Sequence, residues 1–223
     1  MDFLTLFFGW MSGIVGVNLL SQAGTIQKPN NIFLCDGRSI PDLTPVLSFL
    51  KLWEAWHPYG KDIEGRGKFT TGWGSMNLLR PDGSVIRPVY KGEVWSKETA
   101  DLQLKYYVEN SARKLNRYLV SSGYAVNNKL YYAFLQAAYN MGDGYFDKIS
   151  FKNIVASCRG VLDLTYCAET YKKYMVSMYK TFRDYNRNNI GLGWSRRILG
   201  AYYLIKGIEK SRAVIERELK KAY

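Results

Sequence analysis

The sequence predicts an α+β fold, mainly helical, with a small antiparallel β-hairpin subdomain. Three observations predict it. Apolar residues recur at helical spacing from Val46 to Trp56, short β-like runs broken by Gly, Pro and Asp-Gly fill 61–90, and helical patterns then dominate to the C-terminus. A chain of 223 residues, 47% of them hydrophobic, can bury one good-sized core.

Taken in order, residues 3–20 carry no charge. The run is at the lower limit for a membrane-spanning helix and only weakly apolar. Gly9 and Gly13 form a GxxxG pair that suits helix–helix contact. Only Asp2 precedes the run, where a signal peptide wants basic residues, although Ser21-Gln22-Ala23 resembles a small-residue cleavage site. Three readings of 1–25 stand open: an export or anchor segment, a helix docked on this or another protein, and a cleaved signal peptide. Residues 26–42 read as a linker or short strand with an Asp36-Gly37 turn.

Asp42 or Thr44, with Pro45 just inside, starts a helix that Pro58 and Gly60 end, so Glu54 is expected in its last turn. Gly65, Gly67, Gly72, Gly74 and Pro81-Asp82-Gly83 punctuate the β region. Ser96 with Thr99, and acidic Glu98 and Asp101, open the next helix. Helices are expected at about 97–121, 127–142, 147–157, 160–186 and 194–221, with breaks at Gly142-Asp143-Gly144 and 186–189.

Composition narrows the chemistry. Three cysteines, Cys35, Cys158 and Cys167, do not make a disulfide framework, and one histidine, His57, with such cysteine spacing does not match zinc sites. Cys35 with His57 lacks any local signature of a nucleophilic hydrolase; Cys158 and Cys167 are expected in helices as small buried residues. The net charge of +12 favours polyanionic partners, namely nucleic acid, an anionic membrane or an acidic wall polymer. The Lys and Arg residues are scattered and no nucleic-acid motif appears, which argues against nucleic acid.

The chemistry-bearing stretch is 52–78. A carboxyl at a helix C-terminus faces the negative end of the helix dipole, and Trp53 and Trp56 add desolvation, which together favour a protonated Glu54 able to act as general acid. Asp62, in a polar glycine-rich loop, stays ionised and can activate water, and the Thr70 hydroxyl on the returning strand can orient that water. Gly72 and Gly74 allow close backbone approach. Taken singly, each also reads as an ordinary surface Glu, turn Asp or strand Thr.

The ordered blocks favour the functional reading; they carry a resemblance over about 43–205, with 206–223 as a C-terminal helical extension beyond it. Glu54, then Tyr59-Gly60-Lys61-Asp62-Ile63-Glu64-Gly65, then Phe69-Thr70-Thr71-Gly72-Trp73-Gly74 resembles the active-site block of the phage-type lysozymes, glycoside hydrolase family 24. Three later blocks resemble the family in the same order: Gly92 to Ala100, Ala138 to Phe146, and Gly191 to Arg197. The sequence departs from the pattern in a longer hairpin loop around Arg66 and Gly67, in a shorter Glu54–Asp62 spacing, in Ser75 where the family usually has His, and in Ile198-Leu199-Gly200 after the Arg pair.

The resemblance implies a lysozyme-like α+β fold, with the small antiparallel β-hairpin subdomain forming one wall of the cleft, and a muramidase that cleaves the β-1,4 bond between N-acetylmuramic acid and N-acetylglucosamine with inversion. Glu54 would be the acid, Asp62 the second carboxylate and Thr70 the water-positioning hydroxyl, while Tyr139, Asn140, Met141 and Gly142 would meet the sugars. No metal or organic cofactor is implied, and peptidoglycan is the partner. Three roles remain open: an endolysin made in the host cytoplasm and acting on the wall, with 3–20 meeting a membrane; a virion-borne lysozyme, with 3–20 docked on other phage proteins; and a non-catalytic wall-binding scaffold.

Overall fold

The computed structural model describes residues 31–223 other than 55, 63, 64, 66, 186–189, 209, 211, 212, 216 and 218–223, and only the backbone within 179–196. The expectations for 3–20, Glu64, Arg66 and 186–189 lie outside the described residues. Residues 32–223 form one compact unit. Among the described residues no helix is long and apolar enough to cross a membrane.

Strand β1 (Leu34–Cys35) leads to helix α1 (Thr44–Trp53). Asp42 accepts the Thr44 N–H at 2.9 Å, Pro45 sits in the first turn, and Val46, Leu50 and Trp53 turn inward. The helix stops earlier than its periodicity suggests. Glu54 is already extended at φ −87°, ψ 133°, and its N–H caps Leu50. Pro58 and Gly60, expected as helix stops, lie within β2 (His57–Asp62), which pairs antiparallel with β3 (Phe69–Gly72). Cross-strand pairing overrides the helical spacing of Trp53 and Trp56.

β4 (Asn77–Leu79) and β5 (Val85–Pro88) form a second antiparallel pair closed by the expected Pro81-Asp82-Gly83 turn. Gly83 has φ +84° and its missing Cβ leaves room for Asn110. Glu93, 5% exposed, ties this region down. It accepts both guanidinium arms of Arg87 at 2.8 Å, the Trp95 indole N–H at 2.8 Å and the Tyr90 N–H at 3.2 Å. Those bonds, led by Arg87, hold its carboxyl down at about 2.

Helix α2 (Lys97–Ser122) starts as expected, with Ser96 accepting the Thr99 N–H at 3.1 Å, and ends on left-handed Gly123. β6 (Val126–Asn127) pairs with β1 and runs into α3 (Asn128–Met141), capped by Asn127. Most of α3 is buried, from Asn128 through Ala138, because neighbouring helices pack around it. A 3-10 turn (Asp143–Asp147) and α4 (Ile149–Cys158) follow. Phe134, Tyr145 and Phe151 meet near the centre of the core, the two phenylalanines edge to face at 4.9 Å.

Asp163 caps α5 (Leu164–Tyr185) by accepting the N–H groups of Thr165 and Tyr166. Cys158 and Cys167 are buried in α4 and α5, as expected. The expected last helix over 194–221 is corrected: α6 spans Ile190–Lys206 and stops at Gly207, φ +67°. Residues 213–215 are helical again, with Ile215 buried.

Candidate active site

Glu54 is positioned by what surrounds the end of α1. Trp53, the residue before it, packs its indole where Gly200 of α6 lacks a side chain. A Cβ at Gly200 would stand 2.8 Å from the ring. From the same helix, Arg197 Nη2 lies 3.8 Å from Glu54 Oε2. Across from them is the tight turn 71–75, closed by the Gly74 and Ser75 N–H groups donating to the Thr71 carbonyl. Gly74, at φ +99°, would carry a Cβ 3.7 Å from Glu54 Oε2 and 3.8 Å from the Tyr139 hydroxyl.

That turn is anchored on every side. Gly72, φ +64°, packs so closely on α2 that a Cβ would sit 2.7 Å from the Ala100 methyl. The Trp73 indole donates to Asp101 at 2.6 Å, and Lys51 pairs with the same carboxylate at 2.7 Å. Burial works against that carboxylate, yet the bonds from Lys51 and Trp73 hold its pKa below the usual range. Trp56 packs against the Trp73 ring at 5.2 Å. The Tyr139 hydroxyl donates to the Trp73 carbonyl at 2.8 Å.

The two other predicted reacting groups sit on the β2–β3 hairpin. Lys61 pairs with Thr70 and Asp62 with Phe69. Side chains alternate along a strand, so the ladder sends Asp62 and Thr70 to alternate faces and does not itself stack one on the other. Asp62 ends β2, and its carboxylate accepts the Gly67 N–H of the following loop at 2.6 Å. The Thr70 hydroxyl is buried and meets no hydrogen-bond partner among the described residues. Its neighbour Thr71 donates to the His57 carbonyl at 3.2 Å.

The expected sugar-contact segment closes α3. Tyr139 is half-buried, its ring edge-on to Tyr107 at 5.1 Å. Asn140 donates back to the Gln136 carbonyl at 2.8 Å, Met141 packs partly buried on the core, and Gly142 ends the helix at φ +80°. Just beyond, Asp143 accepts from Ser111 at 2.7 Å and pairs with Lys114. The structure thus gathers Glu54, Gly74 and Tyr139 at one place, with Arg197 beside them. Arg197 was visible in sequence only as part of the Arg196-Arg197 block, with no role attached. Glu93 was likewise only a block member, and nothing in its spacing announced a buried carboxylate.

Residues 53–161 match the family model described as phage lysozyme, a span that holds Glu54, Asp62, Thr70 and 139–142 and leaves out Arg197. Among solved structures, the fold is similar to the endolysin from Escherichia coli O157:H7 phage FAHEc1, at 18% identity and a TM-score of 0.51, over 77% of this chain and 97% of that one. At that identity the likeness shows the fold alone, the lysozyme-like α+β arrangement. No curated protein matches the chain.

Proposed function

We propose that the chain, whose residues 53–161 match the phage lysozyme family model, is a peptidoglycan hydrolase of phage-driven host lysis, specifically a muramidase that cleaves the β-1,4 bond between N-acetylmuramic acid and N-acetylglucosamine with inversion. The observation that carries this reading is the placement of Glu54. Its carboxyl is largely shielded, at 16% side-chain exposure, between an α6 guanidinium and Gly74 of the 71–75 turn.

Glu54 protonates the departing glycosidic oxygen. Asp62, at the loop end of the hairpin, serves as the base that draws a proton from the attacking water on the opposite face of the sugar, and its bond from Gly67 orients it. Thr70 offers a buried hydroxyl with no protein partner among the described residues, which suits a group reserved for water or substrate. Asn140, Met141 and Gly142, at the end of α3, present the surface that receives the sugars. The net charge of +12 suits an anionic wall.

The test is turbidity clearing of purified peptidoglycan, with chemical identification of the new reducing end. Wild-type chain releases N-acetylmuramic acid reducing ends. Glu54→Gln loses activity by roughly a thousandfold, in the range expected for a lost general acid, and keeps its melting temperature. A Glu54→Gln chain that clears walls normally ends this reading.

A further inference from the structure

Tyr139 has a larger part in the site than an aromatic that merely faces sugar. Its hydroxyl donates to the Trp73 carbonyl in the middle of the 71–75 turn, at 2.8 Å. The same hydroxyl and Glu54 Oε2 flank Gly74, at 3.8 and 3.7 Å from where its Cβ would stand. Behind it, Tyr107 of α2 donates to the Ala138 carbonyl at 2.9 Å and packs edge-on against the Tyr139 ring. The end of α3, the turn and the end of α1 therefore meet through one phenol.

We infer that Tyr139 is a positioning residue for Glu54: by pinning the Trp73 carbonyl it fixes the turn against which the Glu54 carboxyl rests and keeps water from the gap between them. This rests on the reading of Glu54 as the general acid. The phenol's proton is committed to a backbone carbonyl, so Tyr139 does not compete with Glu54 as the acid. Burial first, and the Glu54 charge second, push its pKa far up, so it remains a neutral donor at any working pH. The groups that face it among the described residues are Glu54 from the end of α1, Tyr107 from α2, Arg197 from α6 and Ser75 from the turn.

The test compares wild type, Tyr139→Phe, Tyr107→Phe and Glu54→Gln on purified peptidoglycan across pH, with a melting temperature for each. Tyr139→Phe keeps the ring and removes the hydroxyl. Its kcat falls about tenfold with KM within about twofold, the signature of a misplaced reacting group. Its alkaline limb moves to lower pH, because water admitted beside Glu54 favours the ionised carboxylate. Tyr107→Phe, which loses the bond to the Ala138 carbonyl and leaves the Tyr139 hydroxyl on Trp73, melts lower and keeps the wild-type limb. A Tyr139→Phe limb that stays in place overturns the inference, whatever happens to its melting temperature. If Glu54→Gln remains active, the functional reading falls and takes this inference with it. If Glu54→Gln is inactive and Tyr139→Phe matches wild type in rate and pH profile, only the positioning role is lost.

Discussion

The guanidinium of Arg197 approaches the carboxylate of Glu54 to 3.8 Å, joining the end of α1 to a helix that begins 136 positions later in the chain (190 − 54). Both side chains are partly shielded, at 31% and 16% exposure, so solvent screens the pair less than it would at the surface. A nearby positive charge favours the ionised carboxylate. Removing it in Arg197→Met raises the pKa of Glu54, so the acid stays protonated to higher pH. The expected outcome is an alkaline limb of the pH–rate profile displaced upward, opposite in sign to the shift in Tyr139→Phe. An unchanged or lowered limb would show that Arg197 does not act on Glu54 through its charge.

The hairpin loop holds two candidate bases two residues apart. Asp62 ends a paired strand and is oriented by Gly67, whereas Glu64 is set aside only by the order of the sequence blocks. Asp62→Asn is expected to lower peptidoglycan cleavage by at least about a hundredfold, within the range for a lost general base, and Glu64→Gln to leave it near wild type. The reverse result would move the base to Glu64 and the loop alignment with it.

Glu93 predicts an acid-sensitive part of the fold. Its carboxyl is held at about 2, against 4.5 for an ordinary glutamate, chiefly by Arg87. A folded-state pKa below the unfolded one contributes stability that is complete above about 4.5 and is lost as pH falls toward about 2. Melting temperatures measured across that window should fall more steeply for wild type than for Glu93→Gln, which lacks the titrating group. Parallel curves would remove Glu93 from the account of acid stability.

Much of this architecture could be read from local chemistry. The Ser96 cap, the Asp82-Gly83 turn and the Gly142 break each act through a few neighbouring residues, and each lies where the sequence places it. The end of α1 could not be read that way. Trp53 and Trp56 continue a helical spacing, and only pairing with β3 draws 57–62 into a strand. The same limit applies to the site. Glu54, Asp62 and Thr70 stand out through their ordered blocks, but the Arg197 contact and the Trp73 bond of Tyr139 are long-range and leave no local pattern. The alternate faces of Asp62 and Thr70 follow from a register that sequence spacing leaves undetermined.

Gly200 and Arg197 lie three residues apart on α6, one against Trp53 and the other against Glu54. Residues three apart share a helix face, so α6 grips the last residue of α1, Trp53, and the Glu54 that follows it with one surface. A slip of α6 by a single residue, about 1.5 Å along its axis, would unseat the indole and the guanidinium together. With Glu54 as the proposed acid, catalysis and local order are interlocked at this joint. On gentle heating, activity should vanish in the same step that frees Trp53, ahead of collapse of the core around Phe134 and Phe151, and indole fluorescence would register that early event.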